Sequence, residues 1–223
     1  NNSTYPIKTI SSVVGTTDIN FPLDAKYDWT RGNIWVCDAG NSRVLSIKTS
    51  DFSFIYEIKN IQLPHAIAPN INTGGAFVKA FSSINSGIIY EIGINGDIKS
   101  TFTFPLTILY PSLPFLRNTD WIQLLPLTSS IIYDHTRSRV WFVADAKSYM
   151  IDTLSKSMSI FDLSPYGIVN NVSVSVENNT GNAFIISEDI NGESFIVKMN
   201  RDNSEYLGIG WIDNVLAVSS SSS

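Results

Sequence analysis

Residues 33–47 read NIWVCDAGNSRVLSI. Two apolar runs, Ile34-Trp35-Val36-Cys37 and Val44-Leu45-Ser46-Ile47, flank a small polar centre. The runs are rich in β-branched and aromatic side chains, which favour strands. The centre, Asp38 to Arg43, is turn chemistry: Gly40 or Asn41 can take a positive φ, and the Asp38 carboxylate can accept backbone N–H groups two residues on. The stretch therefore predicts a β-hairpin. Its first strand lacks polar alternation, so it must be covered on both faces.

The same pattern returns. NTGGAF at 72–77 recurs as NTGNAF at 179–184, and YDWTRGNIWV at 27–36 recurs as YDHTRSRVWF at 133–142. The offsets are 107 and 106 residues, so the chain carries a two-unit super-repeat and hence four units. Within each pair, Trp35 to Phe77 is 42 residues and Trp141 to Phe184 is 43. Short strands at a period in the low forties are the signature of a β-propeller blade. The predicted fold class is all-β, a propeller of four-stranded antiparallel blades, about four of them visible and part of a five- or six-bladed ring. The units fall at about 21–60, 63–104, 125–163 and 164–210, inside a propeller domain over 1–218. The predicted strands are 23–28, 33–37, 43–48 and 53–58; 65–69, 75–80, 87–94 and 97–104; 127–134, 139–144, 148–153 and 157–162; and 168–176, 182–187, 193–199 and 204–209. No segment reads as a helix. Each unit opens on a residue-proline pair: Phe21-Pro22-Leu23, Leu63-Pro64-His65, Leu125-Pro126-Leu127 and Ser164-Pro165-Tyr166. Residues 4–14 read as an outer strand without its blade, 210–219 as an inner strand of a further one, and Ser219–Ser223 as a tail or linker.

Composition narrows the function classes. The chain has 223 residues, 43% hydrophobic and only 16% charged, which excludes disorder. The net charge is −5 and no cluster of Lys and Arg occurs, so no nucleic-acid partner is expected. No apolar run approaches the roughly 20 residues of a membrane span. Cys37 is the single cysteine, so no intrachain disulfide can form. Its place in a buried apolar strand makes the thiol inert. Four glycosylation sequons, at Asn1, Asn2, Asn171 and Asn178, are what chance gives in a chain this rich in Asn, Ser and Thr.

The stretch IWVCDAGNSRVLSI resembles the NHL repeat, with Asp38, Asn41, Arg43 and Val44 on its characteristic positions. The third unit, VWFVADAKSYMI, keeps Asp145 but has Ser148 and Tyr149 where Asn and Arg would stand, and the second and fourth units lack the set. The resemblance thus covers most of the chain as architecture and about one blade as motif. It implies a structural turn cluster of Asp38, Asn41, Arg43 and Asp145. It also implies that the residues opening each innermost strand, Leu23, His65, Leu127 and Tyr166, surround the mouth of the central channel. NHL-like lyases hold a catalytic zinc with histidines near such positions, which makes His65 the metal candidate of an alternative reading.

Taken residue by residue, the chemistry is thin. His135 follows the first strand of its unit while His65 precedes its own. A six-residue strand is about 20 Å long at roughly 3.3 Å per residue, and zinc needs ligands at about 2 Å, so the two cannot share an ion. Asp38, Asp145, Glu188 and Asp189 stand at corresponding turns and read as turn-capping acids. DINGE at 189–193 has a slight calcium-loop character but reads as a hairpin with Asn191-Gly192 at its tip. No Gly-x-Ser-x-Gly elbow occurs. The insertion of about 20 residues at 105–124 sets Tyr110, Phe115, Arg117 and Trp121 among prolines, and such side chains are interface anchors. The expectation is a non-catalytic, protein- or glycan-binding or structural module without a cofactor. It would work outside the cell or on a virion, phage or filament surface, with copies of itself among its partners. The alternative is a lyase or lactonase with zinc or calcium in the central channel.

Overall fold

The computed structural model describes residues 18–83, 85–106 and 130–211. They form four four-stranded antiparallel sheets, each in sequential strand order. The first blade is β1 (Pro22–Asp28), β2 (Asn33–Asp38), β3 (Arg43–Lys48) and β4 (Phe54–Lys59). The second is β5 (Ala66–Asn70), β6 (Gly75–Ser83), β7 (Ser86–Ile92) and β8 (Ile98–Pro105). The third is β9 (Ile131–Asp134), β10 (Arg139–Ala144), β11 (Lys147–Asp152) and β12 (Ser157–Asp162), and the fourth is β13 (Ile168–Val176), β14 (Ala183–Asp189), β15 (Ser194–Met199) and β16 (Tyr206–Trp211). The innermost strands β1, β5, β9 and β13 pack side by side in that order. This is a β-propeller arrangement, as the repeat predicts. Pro105 closes β8 opposite Ser86, so the strand takes the first residue of the predicted insertion.

Burial follows from stacking. Trp35, Cys37 and Val44 of the first blade meet Ile67, Ala76 and Val78 of the second. Phe77, Ile89 and Phe104 of the second meet Val140, Phe142 and Tyr149 of the third. Trp141, Val143 and Met150 of the third meet Val174, Ile185 and Val197 of the fourth. Trp35 and Trp141, 106 residues apart, are both fully enclosed at equivalent places. Alternate residues of each second strand face opposite neighbours, which is why these strands read as unbroken apolar runs.

The hairpin at 38–43 differs from expectation in detail. Ala39–Asn41 make one turn of 3-10 helix, and the left-handed residue is Ser42, φ +51°, rather than Gly40 or Asn41. Glycine is required at 40 for closeness instead: its N–H donates to the Asn20 carbonyl at 2.9 Å, and a Cβ there would meet Asn20 at 2.7 Å. The Asp38 carboxylate does not cap its own turn. Its Oδ1 accepts from the Asn20 N–H at 2.8 Å, and its Oδ2 accepts from Arg43 Nε at 2.5 Å and Asn41 Nδ2 at 2.9 Å. Arg43 also donates to Glu57 on β4 at 2.9 Å and to the Asp18 carbonyl at 3.1 Å. The Asp-Asn-Arg set is therefore a buried clamp that fixes the chain entering β1. Arg43 holds the Glu57 carboxyl below its ordinary range through that hydrogen bond.

The turns between first and second strands repeat as well. Gly32, Gly74 and Gly181 have φ of +66°, +85° and +77°, and Ser138 holds the same place at +54°. Asp28, Asn70 and Asp134 start these turns with side chains that accept N–H groups two or three residues on.

Two stability outcomes follow. Arg43→Ala strips the fully buried Asp38 of its cation and is expected to cost about 3–5 kcal/mol, read as a lowered denaturation midpoint. Ser138→Gly relieves a left-handed serine and is expected to stabilise by about 0.5–1 kcal/mol, read as a raised denaturation midpoint.

Candidate functional site: a sealed lysine and two turn-bearing faces

Lys79 lies on β6 where the repeat places Cys37, Val143 and Ile186 in the other blades. It is 2% exposed, and its Nζ donates to the Val143 carbonyl at 2.5 Å. The ammonium sits over the rings of Phe104 and Phe142 at 5.5 and 5.8 Å. Phe142 stacks on Tyr149 at 4.7 Å, and Phe104 closes the third side at 4.9 and 5.4 Å from those two rings. The cation is thus held by π faces and one carbonyl. Burial pushes its pKa down to about 7, against the opposing pull of Asp145. Burial and then the charges of Asp145 and Asp162 push Tyr149 up to about 12.

His65 borders this cluster. Its backbone N–H donates to the Lys79 carbonyl at 3.0 Å, its Nδ1 lies 3.1 Å from the Leu63 carbonyl, and its ring packs on Phe81 at 5.0 Å. Burial and then the Lys79 charge lower its pKa to about 3. Among the described residues no three His, Cys, Asp or Glu side chains come together as a metal site. His135 stands in the turn after β9, at the far end from His65. A neutral amine near pH 7 is a competent nucleophile or base, but Lys79 is closed off from solvent and serves the seam between two blades.

The other predicted residues separate. Leu23 is half-buried on β1. Tyr166 is not at the channel mouth. Residues Ser164–Tyr166 wind into a 3-10 turn closed by left-handed Gly167, and the ring stacks on Tyr206 at 4.6 Å and Phe161 at 6.2 Å, both on outermost strands. Asp38, Asn41 and Arg43 form the clamp described above. Asp145 sits at a separate turn, with φ +50°, and acts on Lys79 and Tyr149. Tyr110, Phe115, Arg117, Trp121 and Leu127 lie outside the described residues, as do 4–14 and the terminal serines. Asp189 caps its hairpin, accepting from the N–H groups of Asn191 and Glu193 at 2.8 and 2.9 Å. Burial, with the charge of Asp24, raises the Cys37 thiol well above its ordinary range.

Four of the exposed apolar side chains lie on turns between strands of a blade. Trp29 is 67% exposed between β1 and β2, Ile94 46% between β7 and β8, and Leu154 80% between β11 and β12. In this topology all three turns open on one face of the propeller. Ile190, 85% exposed between β14 and β15, lies on the other. The sequence reading passed over Trp29 as scaffold and Lys79 as part of an apolar run. Aligning the units would have marked Lys79, since no other unit places a charge there.

No protein-family model matches the chain, and no curated protein matches it. Solved structures are similar in fold. The hydrazine synthase of Kuenenia stuttgartiensis superposes with a TM-score of 0.65 at 11% identity, over 90% of this chain and 53% of that one. The Cps50 (Swd1) β-propeller domain of Myceliophteria thermophila gives 0.62 at 5%, over 92% and 59%. A chain of the nidogen/laminin complex gives 0.57 at 11%, over 89% and 67%. The present chain thus spans little more than half the length of the first two. These likenesses establish the β-propeller; the NHL repeat itself finds no match among them.

The lysine and the histidine predict opposite ends of a pH profile. The folded state holds Lys79 near 7 against an ordinary 10.5, so the unfolded chain carries the extra proton between those values and stability rises with pH across them. His65 near 3 against 6.5 makes stability fall as pH drops from 6.5 towards 3. Relative to Lys79→Met, the wild type is expected to gain a few kcal/mol of stability in chemical denaturation from pH 7 to 10.5, on the order of 1.4 kcal/mol per unit. The difference for His65→Gln is expected only in the acid window.

Proposed function

We propose that the chain is a non-catalytic binding module that uses a propeller face to hold a protein. The observation that carries this is the contrast between its two chemistries. The groups capable of reaction, Lys79 with Tyr149 and His65, are packed into a seam between blades, while Trp29, Ile94 and Leu154 stand out on one turn-bearing face. Tryptophan is among the side chains that anchor protein interfaces. The aromatic, proline-rich insertion at 105–124, with Tyr110, Phe115, Arg117 and Trp121, supports the same reading from the sequence. So does the nidogen/laminin complex, a structure of similar fold seen with a protein partner. The hydrogen-bonding, weakly charged composition favours a setting outside the cell or on a particle or filament surface.

Immobilised protein screened against panels of extracellular proteins and glycans tests the proposal. Trp29→Ser with Leu154→Ser is expected to weaken the captured protein ligand by about tenfold or more, roughly 1.4 kcal/mol, with Ile190→Ser on the opposite face as the neutral control. A glycan ligand indifferent to Trp29 would overturn the proposed face. A lactonase or lyase turnover abolished by His65→Ala in a folded protein would overturn the non-catalytic reading.

A further inference from the structure

Two hairpin tips are spelled almost alike. Ile94-Asn95-Gly96-Asp97 joins β7 to β8, and Ile190-Asn191-Gly192-Glu193 joins β14 to β15. They hold the two Asn-Gly pairs of the chain. Their backbones match. The Gly96 N–H donates to the Gly93 carbonyl at 3.0 Å, and the Gly192 N–H to the Asp189 carbonyl at 3.1 Å. The Gly93 N–H donates to the Asp97 carbonyl at 2.8 Å, as that of Asp189 does to Glu193 at 3.1 Å. Gly96 and Gly192 take φ of +80° and +77°. Both asparagines are exposed.

The residue that opens the turn differs. Asp189 Oδ1 accepts from the N–H groups of Asn191 and Glu193 at 2.8 and 2.9 Å, and its Oδ2 accepts from Asn191 Nδ2 at 3.1 Å. The Asn191 amide is thus turned back onto a carboxylate that precedes it. Gly93 stands in the place of Asp189 and has no side chain to do this. The Asn95 side chain makes no hydrogen bond among the described residues. The inner turns are guarded in another way. Asn72 and Asn179 are each followed by threonine, whose branched side chain crowds the backbone nitrogen. Arg31 donates to the Ile71 carbonyl at 2.9 Å and lies over Gly74. Arg137 donates to the Asn178 and Asn179 carbonyls at 3.1 and 2.8 Å and lies over Gly181.

We propose that Asn95 is a site of spontaneous succinimide formation, converted in the folded protein to aspartate and isoaspartate, and that Asp189 protects Asn191 from the same reaction. The Gly96 backbone nitrogen attacks Asn95 Cγ. An N–Cγ bond forms, the proton on that nitrogen passes to a solvent base, and the Cγ–Nδ2 bond breaks with release of ammonia. Water then opens the five-membered ring at one of its two carbonyls. The product is aspartate, or isoaspartate with the main chain running through Cγ. Glycine at 96 leaves the approach to its nitrogen unobstructed, and the two reacting groups are held in one short segment. The glycine N–H bond within the turn is common to both tips and does not distinguish them. At Asn191 the amide must first leave Asp189, and that carboxylate opposes the negative charge developing on the attacked group. Reaction at Asn95 sets a carboxylate beside the exposed Ile94. As isoaspartate it also lengthens a turn that lies against Tyr56 of the first blade, where a Cβ on Gly96 would be 3.4 Å away. The chemistry does not rest on the partner-binding reading.

Peptide mapping by mass spectrometry, after incubation of the folded protein in mildly alkaline buffer, tests the proposal, with aspartate and isoaspartate peptides separated by chromatography. Asn95 is expected to convert, and Asn191 to convert about tenfold more slowly, roughly 1.4 kcal/mol of barrier. Asp189→Gly is expected to bring Asn191 to the rate of Asn95, and Gly93→Asp to slow Asn95. A Cβ at 93 would meet the Asp97 and Lys99 side chains at 2.5 Å, but both are exposed and can turn aside. An unchanged melting temperature checks each variant. In denaturant the two wild-type sites are expected to convert at equal rates. An Asn95 that stays intact overturns the proposal, as does an Asn191 that converts as fast as Asn95 in the folded wild type. So does an Asn191 rate unmoved by Asp189→Gly, or a difference between the sites that persists in the unfolded chain.

Discussion

A sheet has two faces, and in this protein both must be kept dry. That constraint explains most of the architecture. A blade alone would leave Trp35 or Val36 in water, depending on which face it covered. In the first blade the second blade covers Trp35 on one face, and Ile19, Ile34, Phe52 and Phe54 pack against Val36, Leu45 and Ile47 on the other. Stability is then a property of seams rather than of blades, as in other repeat architectures where each unit meets only its neighbours. The fully enclosed Trp35, Phe77 and Trp141 each belong to a seam, and none is shared between two.

The charged groups that enter this apolar frame come with partners, whereas Ser46 Oγ and the indole N–H groups of Trp35 and Trp141 find no hydrogen bond among the described residues. Arg43 is buried because Asp38, Glu57 and the Asp18 carbonyl surround it. Ser148 is buried because Asn203 reaches across to it, Oγ to Oδ1 at 2.5 Å. Lys79 is the stranger case. Its site is satisfied by a carbonyl and ring faces, with Asp145 acting from the turn above. Such a group adds little net stability over an apolar side chain of the same volume. What it adds is one directed contact across the seam, from the second blade to the Val143 carbonyl of the third.

The repeat made the blades legible because burial on both faces imposes apolar second strands, and β2, β6, β10 and β14 all lie within two or three residues of their predicted bounds. The turn glycine at Gly192 was legible, at the tip of the predicted 189–193 hairpin, where its φ is +77°. Ser42 was not, because a serine in the left-handed region is permitted by the clamp around it rather than by its own chemistry. Tyr166 was misplaced because Ser164-Pro165-Tyr166 resembles Phe21-Pro22-Leu23 in spelling only. Pro22 begins an innermost strand, whereas Pro165 starts a 3-10 turn that keeps the tyrosine at the periphery. The Asp38 cluster was recognised, but its target, the carbonyl and amide of residues 18 and 20, lies outside the motif and leaves no trace in it.

Arg31 over Gly74, and Arg137 over Gly181, tie a residue of one blade to the absence of a side chain in the next. Neither member can drift alone: a larger residue in place of either glycine evicts the guanidinium above it. The heritable unit is consequently the doublet. Duplication or exchange of two blades at a time preserves every such pairing, whereas copying a single blade would set an arginine against a neighbour never shaped to receive it.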